Sequence, residues 1–205
     1  NKTKNTEENI NFLKKYKLPK KYIFYPAMYF PHKNHKLIID SLKIINSKNK
    51  EDVSAIFCGF DKGYLQNLKE YSKIINVDDK VMFLEFIDDE EIPFFYINSI
   101  ALVMPTLMGP NNIPPWEAFK LRVPVFYSRF GNIETVLKNA VSYIDQFDPK
   151  DLADGIINLM HDEKIRDNLI KSGENLLNSI DKKKDYENLL NLIVKNRIIK
   201  ERWNL

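Results

Sequence analysis

Two loops carry the residues best suited to chemistry. The longer stretch runs Met104-Pro-Thr-Leu-Met-Gly-Pro-Asn-Asn-Ile-Pro-Pro-Trp-Glu-Ala-Phe-Lys-Leu-Arg-Val-Pro-Val-Phe-Tyr-Ser128. It reads as buried strand, polar loop, short helix, buried strand. A loop that leads into a helix N-terminus exposes unpaired N–H groups along the helix dipole, which suits an anion such as a phosphate. Asn112 could cap that helix, and Pro114 sits where helix starts tolerate proline. Glu117 falls in the first turn, where the dipole alone favours an acid; its carboxylate could equally accept hydrogen bonds from a vicinal diol such as a ribose. Trp116 reads as core, not as a stacking platform. The second loop is Pro26-Ala-Met-Tyr-Phe-Pro-His-Lys-Asn-His35. Lys33 stands there beside a helix start, where the dipole opposes a cation. Pairing with a phosphate would explain it; a solvated surface lysine is the plainer alternative.

Other chemistries lack their residues. The chain has no G-x-x-x-x-G-K-[ST] loop, no G-x-G-x-x-G after the first strand and no G-x-S-x-G elbow. His32, His35 and His161 do not form a metal-ligand spacing with Cys58 or nearby carboxylates, so no metal is expected. Asp88 and Glu90 could be read as an acidic metal pair, but the run Asp88–Glu91 reads better as an acidic first turn of the helix Ile92–Ile97.

These loops need a frame, and short apolar strands alternate with amphipathic helices from Lys21 to about residue 180. The expected strands are Tyr22–Tyr25, Val53–Cys58, Lys80–Phe86, Ile100–Met104, Val123–Tyr127 and Val141–Ile144. Most are continuously apolar, as in a parallel sheet covered on both faces. The expected helices are His35–Asn46, Tyr64–Ile75, Ile92–Ile97, Pro149–Met160 and Lys164–Leu177. Helical crossovers between such strands predict an α/β doubly wound, Rossmann-like parallel sheet, which binds ligands beyond its strand C-termini. Residues 1–20 read as a peripheral helix and linker, 21–180 as the Rossmann-like domain, and 181–205 as a C-terminal helix needing a partner for its apolar face.

The 205 residues suffice for a proper core. A net charge of +3, with acids and bases interleaved, gives no argument for nucleic acid. Lone Cys58 excludes a disulfide within the chain and suggests a reducing compartment. No apolar run approaches the ~18 residues of a membrane span, and no signal peptide is visible. The start at Asn1, without Met, suggests an excised or processed chain.

Five motifs in order carry a resemblance: Tyr22-Ile-Phe-Tyr-Pro-Ala with Phe30-Pro-His-Lys-Asn-His35; Ile56-Phe-Cys-Gly59; Val81-Met-Phe-Leu-Glu-Phe-Ile87; Met104-Pro-Thr with Ile113-Pro-Pro-Trp-Glu-Ala118 and Val123-Pro-Val125; and Gly131-Asn-Ile-Glu-Thr-Val136. Over roughly residues 21–180 the chain resembles the C-terminal, nucleotide-sugar-binding domain of GT-B retaining glycosyltransferases (glycosyltransferases group one, family four). The resemblance implies a nucleoside diphosphate sugar, UDP- or GDP-linked, as donor, no dissociable cofactor or required metal, and a role in glycan biosynthesis. Lys33 resembles the lysine that grips the donor diphosphate, and Glu117 the second Glu of the family's Glu-(seven residues)-Glu motif, which binds the ribose. Phe86 and Ile87 resemble the base-contacting segment. Gly109, Pro110, Asn111, Asn112 and Ile113 lie in the segment resembling the one whose backbone holds donor sugar and phosphate. By the same resemblance the acceptor is held by an N-terminal domain missing here, so the fragment alone is expected to bind nucleotide without transferring sugar. A cytoplasmic location is implied, including peripheral association of a longer protein with the inner face of a membrane. Three features depart from the pattern: Gly109 stands where the motif's first Glu is expected, Met28 where an arginine is usual, and Pro26-Ala27 where a Gly-rich turn is usual. A diverged enzyme and a non-catalytic nucleotide-binding or interaction domain on the same fold both fit those departures.

Overall fold

The computed structural model describes residues 7–48, 51–109 and 113–180. Six parallel strands form one sheet: β1 (Tyr22–Pro26), β2 (Ser54–Cys58), β3 (Val81–Leu84), β4 (Leu102–Met104), β5 (Val125–Ser128) and β6 (Ser142–Ile144). Their order is β3-β2-β1-β4-β5-β6. Phe24 is the hub of the register, opposite Ile56 on one side and Leu102 on the other. The inner strands β1, β2, β4 and β5 are buried almost throughout, while β3, at one edge, is half-buried. This is why the inner strands read as unbroken apolar runs.

Helices complete the fold: α1 (Glu7–Tyr16), α2 (His35–Lys48), α3 (Leu65–Ile74), α4 (Ile92–Asn98), α5 (Pro114–Lys120), α6 (Ile133–Leu137), α7 (Pro149–His161) and α8 (Glu163–Asn178). α2 packs on α7, and α5 on α8. Asp148 caps α7 by accepting from the Lys150 N–H at 2.8 Å, ahead of a proline at the first position. Asp162 caps α8 through the N–H groups of Lys164 and Ile165.

The doubly wound sheet matches the expectation, and the strand limits shift by a few residues. The third strand shortens most. Asp78–Lys80 closes a 3-10 turn and the chain leaves the sheet after Leu84, so the expected Lys80–Phe86 is only Val81–Leu84. α1 is not merely peripheral. Phe12 is buried, with its ring 4.8 Å from Phe95 and 5.3 Å from Phe94, and such burial contributes roughly 1.5–3 kcal/mol. The acids before α4 also differ from expectation. No acid lies in its first turn, and Glu91 makes no side-chain cap. Glu91 instead accepts from Lys15 and Tyr16, each at 2.7 Å, tying α1 to the start of α4. The expected helix in 181–205 lies outside the described residues.

Candidate functional site

The strand order reverses direction beside β1: the chain builds outward to β2 and β3, then returns to lay β4 on the other side of β1. In an open parallel sheet, the crevice outside the strand C-termini at that reversal is where ligands bind. The loops after β1 and β4 flank it, and they are the two loops that the sequence singled out.

The structure joins them directly. Residues Pro31–Lys33 form a 3-10 turn closed by Asn34, which sits in the left-handed region at φ 56°. The Asn34 amide Nδ2 donates to the Pro105 carbonyl at 3.1 Å and to the Gln146 carbonyl at 2.8 Å. The Leu107 N–H donates to the His32 carbonyl at 2.8 Å, and Thr106 Oγ1 donates to the Met108 carbonyl at 2.6 Å. Beneath them the Tyr25 hydroxyl donates to the Lys33 carbonyl at 3.0 Å. The backbone carrying Lys33 is therefore fixed to the ends of β1, β4 and β6.

Lys33 is half-buried, and burial pulls its ammonium below the usual lysine range. A cation that is partly stripped of water gains more from an anion than a solvated one does. His35 opens α2 directly behind it. Its ring is fully buried against Tyr25, Phe57 and Tyr29, at centroid distances of 4.8, 5.0 and 5.3 Å. Neither ring nitrogen meets hydrogen-bond geometry with a partner. Burial lowers its pKa to about 3, so it is neutral at working pH.

On the opposite wall, α5 is seven residues long and begins with Pro114, as expected. The cap position is Ile113, with no side-chain cap, which departs from the expectation of an Asn112 cap. Asn112 itself, with Pro110 and Asn111, lies outside the described residues. Ile113 is exposed. Glu117 is half-buried, and its Oε2 accepts from the Tyr96 hydroxyl at 2.8 Å. Burial first, and the Glu117 charge second, raise the Tyr96 phenol well above its ordinary range, so it remains a proton donor. Sequence reasoning missed Tyr96, because nothing local in Phe94-Phe-Tyr-Ile97 ties it to a residue 21 positions away. Trp116 is half-buried, edge-on to Phe119 at 5.7 Å, in keeping with a core role.

Gly109 has φ of +101°. An L-residue is strained there, so the missing family Glu is a difference of backbone as well as of side chain. Met28 is exposed on the first loop. Beyond β3, Ile87 turns into the core while Phe86 stays 67% exposed. Gly59, at the end of β2, lies against the first loop; a Cβ there would sit 2.4 Å from the Ala27 carbonyl oxygen. Burial pushes the Cys58 thiol up to about 11, which leaves it unreactive. Among the described residues no cluster of three His, Cys, Asp or Glu could hold a metal ion, and no helix is long and apolar enough to cross a membrane.

The family model of glycosyl transferases group 1 matches residues 6–176. The chain belongs to that family. Among curated relatives, it is 29% identical over 130 residues to the O-antigen chain mannosyltransferase RfbU of Salmonella typhimurium, across 63% of this chain and 36% of that protein. It therefore spans well under half of that relative. Among solved structures, Alr3699/HepE from Anabaena in complex with UDP superposes with a TM-score of 0.78 at 15% identity, over 93% of this chain and 53% of that one. The C-terminal domain of the glycosyl transferase group 1 family protein LpcC from Francisella tularensis gives 0.70 at 20% identity, over 85% of this chain and 93% of that one. At these identities the two structures speak to the fold alone.

Proposed function

We propose that the chain is the donor-binding half of a retaining glycosyltransferase, and that its ligand is a nucleoside diphosphate sugar. The observation that carries this reading is the joining of the Lys33 loop to the loop after β4 at the strand-order reversal. A half-buried cation on a fixed backbone is what a leaving diphosphate needs, because donors set in advance cost no reorganisation when charge develops. In this reading Lys33 neutralises the diphosphate, and the segment 109–113 contacts the donor sugar and phosphate. Glu117, oriented by Tyr96, accepts from the ribose hydroxyls, and Phe86 and Ile87 border the base. RfbU, by its name, transfers mannose, and HepE was solved with UDP; both agree with a UDP- or GDP-linked donor. The retaining outcome rests on the motif resemblance. The acceptor is bound by another part of a longer protein, so this chain alone binds nucleotide and does not transfer. Neither a cofactor nor a metal is called for, since Lys33 supplies the positive charge. The site belongs on the cytoplasmic side, at the inner face of a membrane if the longer protein is peripheral there.

Thermal unfolding with a panel of nucleoside diphosphates and their sugars tests this. Ligand at 100-fold over its dissociation constant stabilises by about 2.7 kcal/mol, roughly 5–10 °C for a domain of this size. No shift with any nucleotide at millimolar concentration would defeat the proposal. Gly109 and Met28 favour one rival, a non-catalytic domain that keeps nucleotide binding. Sugar transfer by the longer protein separates the two.

A further inference from the structure

Three successive residues carry the Lys33 turn, and each is held differently. The His32 carbonyl accepts from the Leu107 N–H in the loop after β4. The Asn34 amide reaches carbonyls in the loops after β4 and β6. Lys33 itself is held from the sheet: its carbonyl accepts from the Tyr25 hydroxyl at 3.0 Å, and no loop N–H is directed at it among the described residues. The local conformation explains this. Lys33 ends the 3-10 turn, and Asn34, in the left-handed region, separates that turn from α2. The Leu37 N–H then donates to the Asn34 carbonyl at 3.1 Å. The Lys33 carbonyl is left over between the two helices, and a side chain has to serve it.

Tyr25 is a fixed point. It lies near the end of β1 and is 1% exposed, with its ring 4.8 Å from that of His35. A buried phenol needs a hydrogen-bond partner. Burial first, and neighbouring Tyr127 second, raise its pKa far above the ordinary phenol range, against a smaller opposing pull from Thr106. The hydroxyl is therefore a donor at any pH near neutrality. The ring cannot swing away, because strand, helix start and core close around it.

What hangs from that point is a lysine, whose long flexible stem makes its ammonium costly to order. The cost falls where the backbone below the stem is fixed in advance. Lys33 is half-buried, a state that requires the turn to stay down against the sheet edge. The ties at His32 and Asn34 join whole loops, whereas the Tyr25 hydroxyl acts on the Lys33 peptide alone. We infer that Tyr25 is a positioning residue for Lys33: its hydroxyl holds the turn so that the ammonium is presented, half-buried, to the diphosphate. This rests on the donor-binding reading above and adds to it a residue that is itself buried away from the ligand.

The test is a double-mutant cycle on the whole chain, read by calorimetry with UDP and GDP from neutral to alkaline pH. Tyr25→Phe keeps the ring and deletes the hydroxyl. It is expected to weaken the preferred nucleotide about three- to tenfold, the range for one hydrogen bond. In the Lys33→Ala background the same deletion should change binding by less than about twofold. In Tyr25→Phe the alkaline loss of binding should move to higher pH, because a loosened ammonium regains water. Tyr22→Phe is the control. It deletes a buried hydroxyl from the other end of β1, one that donates to the Phe95 carbonyl at 2.8 Å, and should bind as wild type does. The inference is overturned if Tyr25→Phe binds as tightly as wild type, if it weakens binding equally with and without Lys33, if its alkaline limb stays in place, or if Tyr22→Phe weakens binding as much. Those results leave the donor-binding reading standing, whereas a wild-type chain that binds neither nucleotide removes both.

Discussion

Acidification should destabilise this fold through His35 before its carboxylates titrate. The ring is fully buried with neither nitrogen in good hydrogen-bond geometry, and burial lowers its pKa from 6.5 to about 3 against a smaller opposing pull from the Ala27 backbone. Between those values the unfolded chain binds a proton that the native chain refuses, so stability falls as pH falls. Linkage with these two values gives a loss of roughly 1 kcal/mol by pH 5.5 and roughly 3 kcal/mol by pH 4.5. Carboxylates held low by hydrogen bonds and cations, such as Asp61 and Glu51, act in the same direction but only from about pH 4.5 downward. His32, lowered by slight burial and by the Lys33 charge, adds little because it remains largely hydrated. His35→Phe, which keeps a flat ring among Tyr25, Tyr29 and Phe57, should flatten the profile between pH 7 and 4.5. Urea unfolding at pH 7, 5.5 and 4.5 measures both slopes. Equal slopes for wild type and variant would show the reasoning about His35 to be wrong.

Lys33→Ala should weaken nucleoside diphosphate binding about 10- to 100-fold, the range for a hydrogen bond to a charged group, as read by calorimetry. Binding should also fade above neutral pH earlier than an ordinary lysine would allow. The anion selects the protonated amine, and burial has lowered the pKa of the free site. Glu117→Ala should cost about 1–3 kcal/mol of stability by stranding the buried Tyr96 hydroxyl. Adding Tyr96→Phe should recover much of that in denaturant titrations, while the preference for UDP over its 2′-deoxy analogue stays lost. Gly59→Ala should lower stability by about 1–3 kcal/mol, because backbone must move to admit the Cβ; an unchanged melting temperature would mean that the close approach to Ala27 is not needed.

The sheet was legible because its inner strands are buried on both faces and so read as unbroken apolar runs, Tyr22–Tyr25 above all. Strand limits were less so: Asp78–Lys80 and Glu85 carry no signal that separates a turn from a strand end. The five-residue α6 is too short to show a periodicity, and the 3-10 turn at Pro31–Lys33 has none to show. Of the site, Lys33 and Glu117 stood out by residue type, and the structure sets Lys33 on the loop after β1 and Glu117 on α5, the helix that follows the loop after β4. What fastens those loops was invisible, since Asn34 reaches partners 71 and 112 positions away. The acids at 88–91 misled for the same reason. Local rules assign Glu91 to its own helix, while its strongest partners sit on α1.

Asn34 has a consequence for how this site could change. One side-chain amide spans the ends of two other strands, so the frame is indifferent to what the loop tips carry. Met28, Phe60, Phe86 and Met108 all project outward. A library randomised at those four positions should yield mostly folded proteins with altered ligand preference. One randomised at Asn34 and Gly59 should yield mostly losses. The molecule separates what must be inherited intact from what is free to be rewritten.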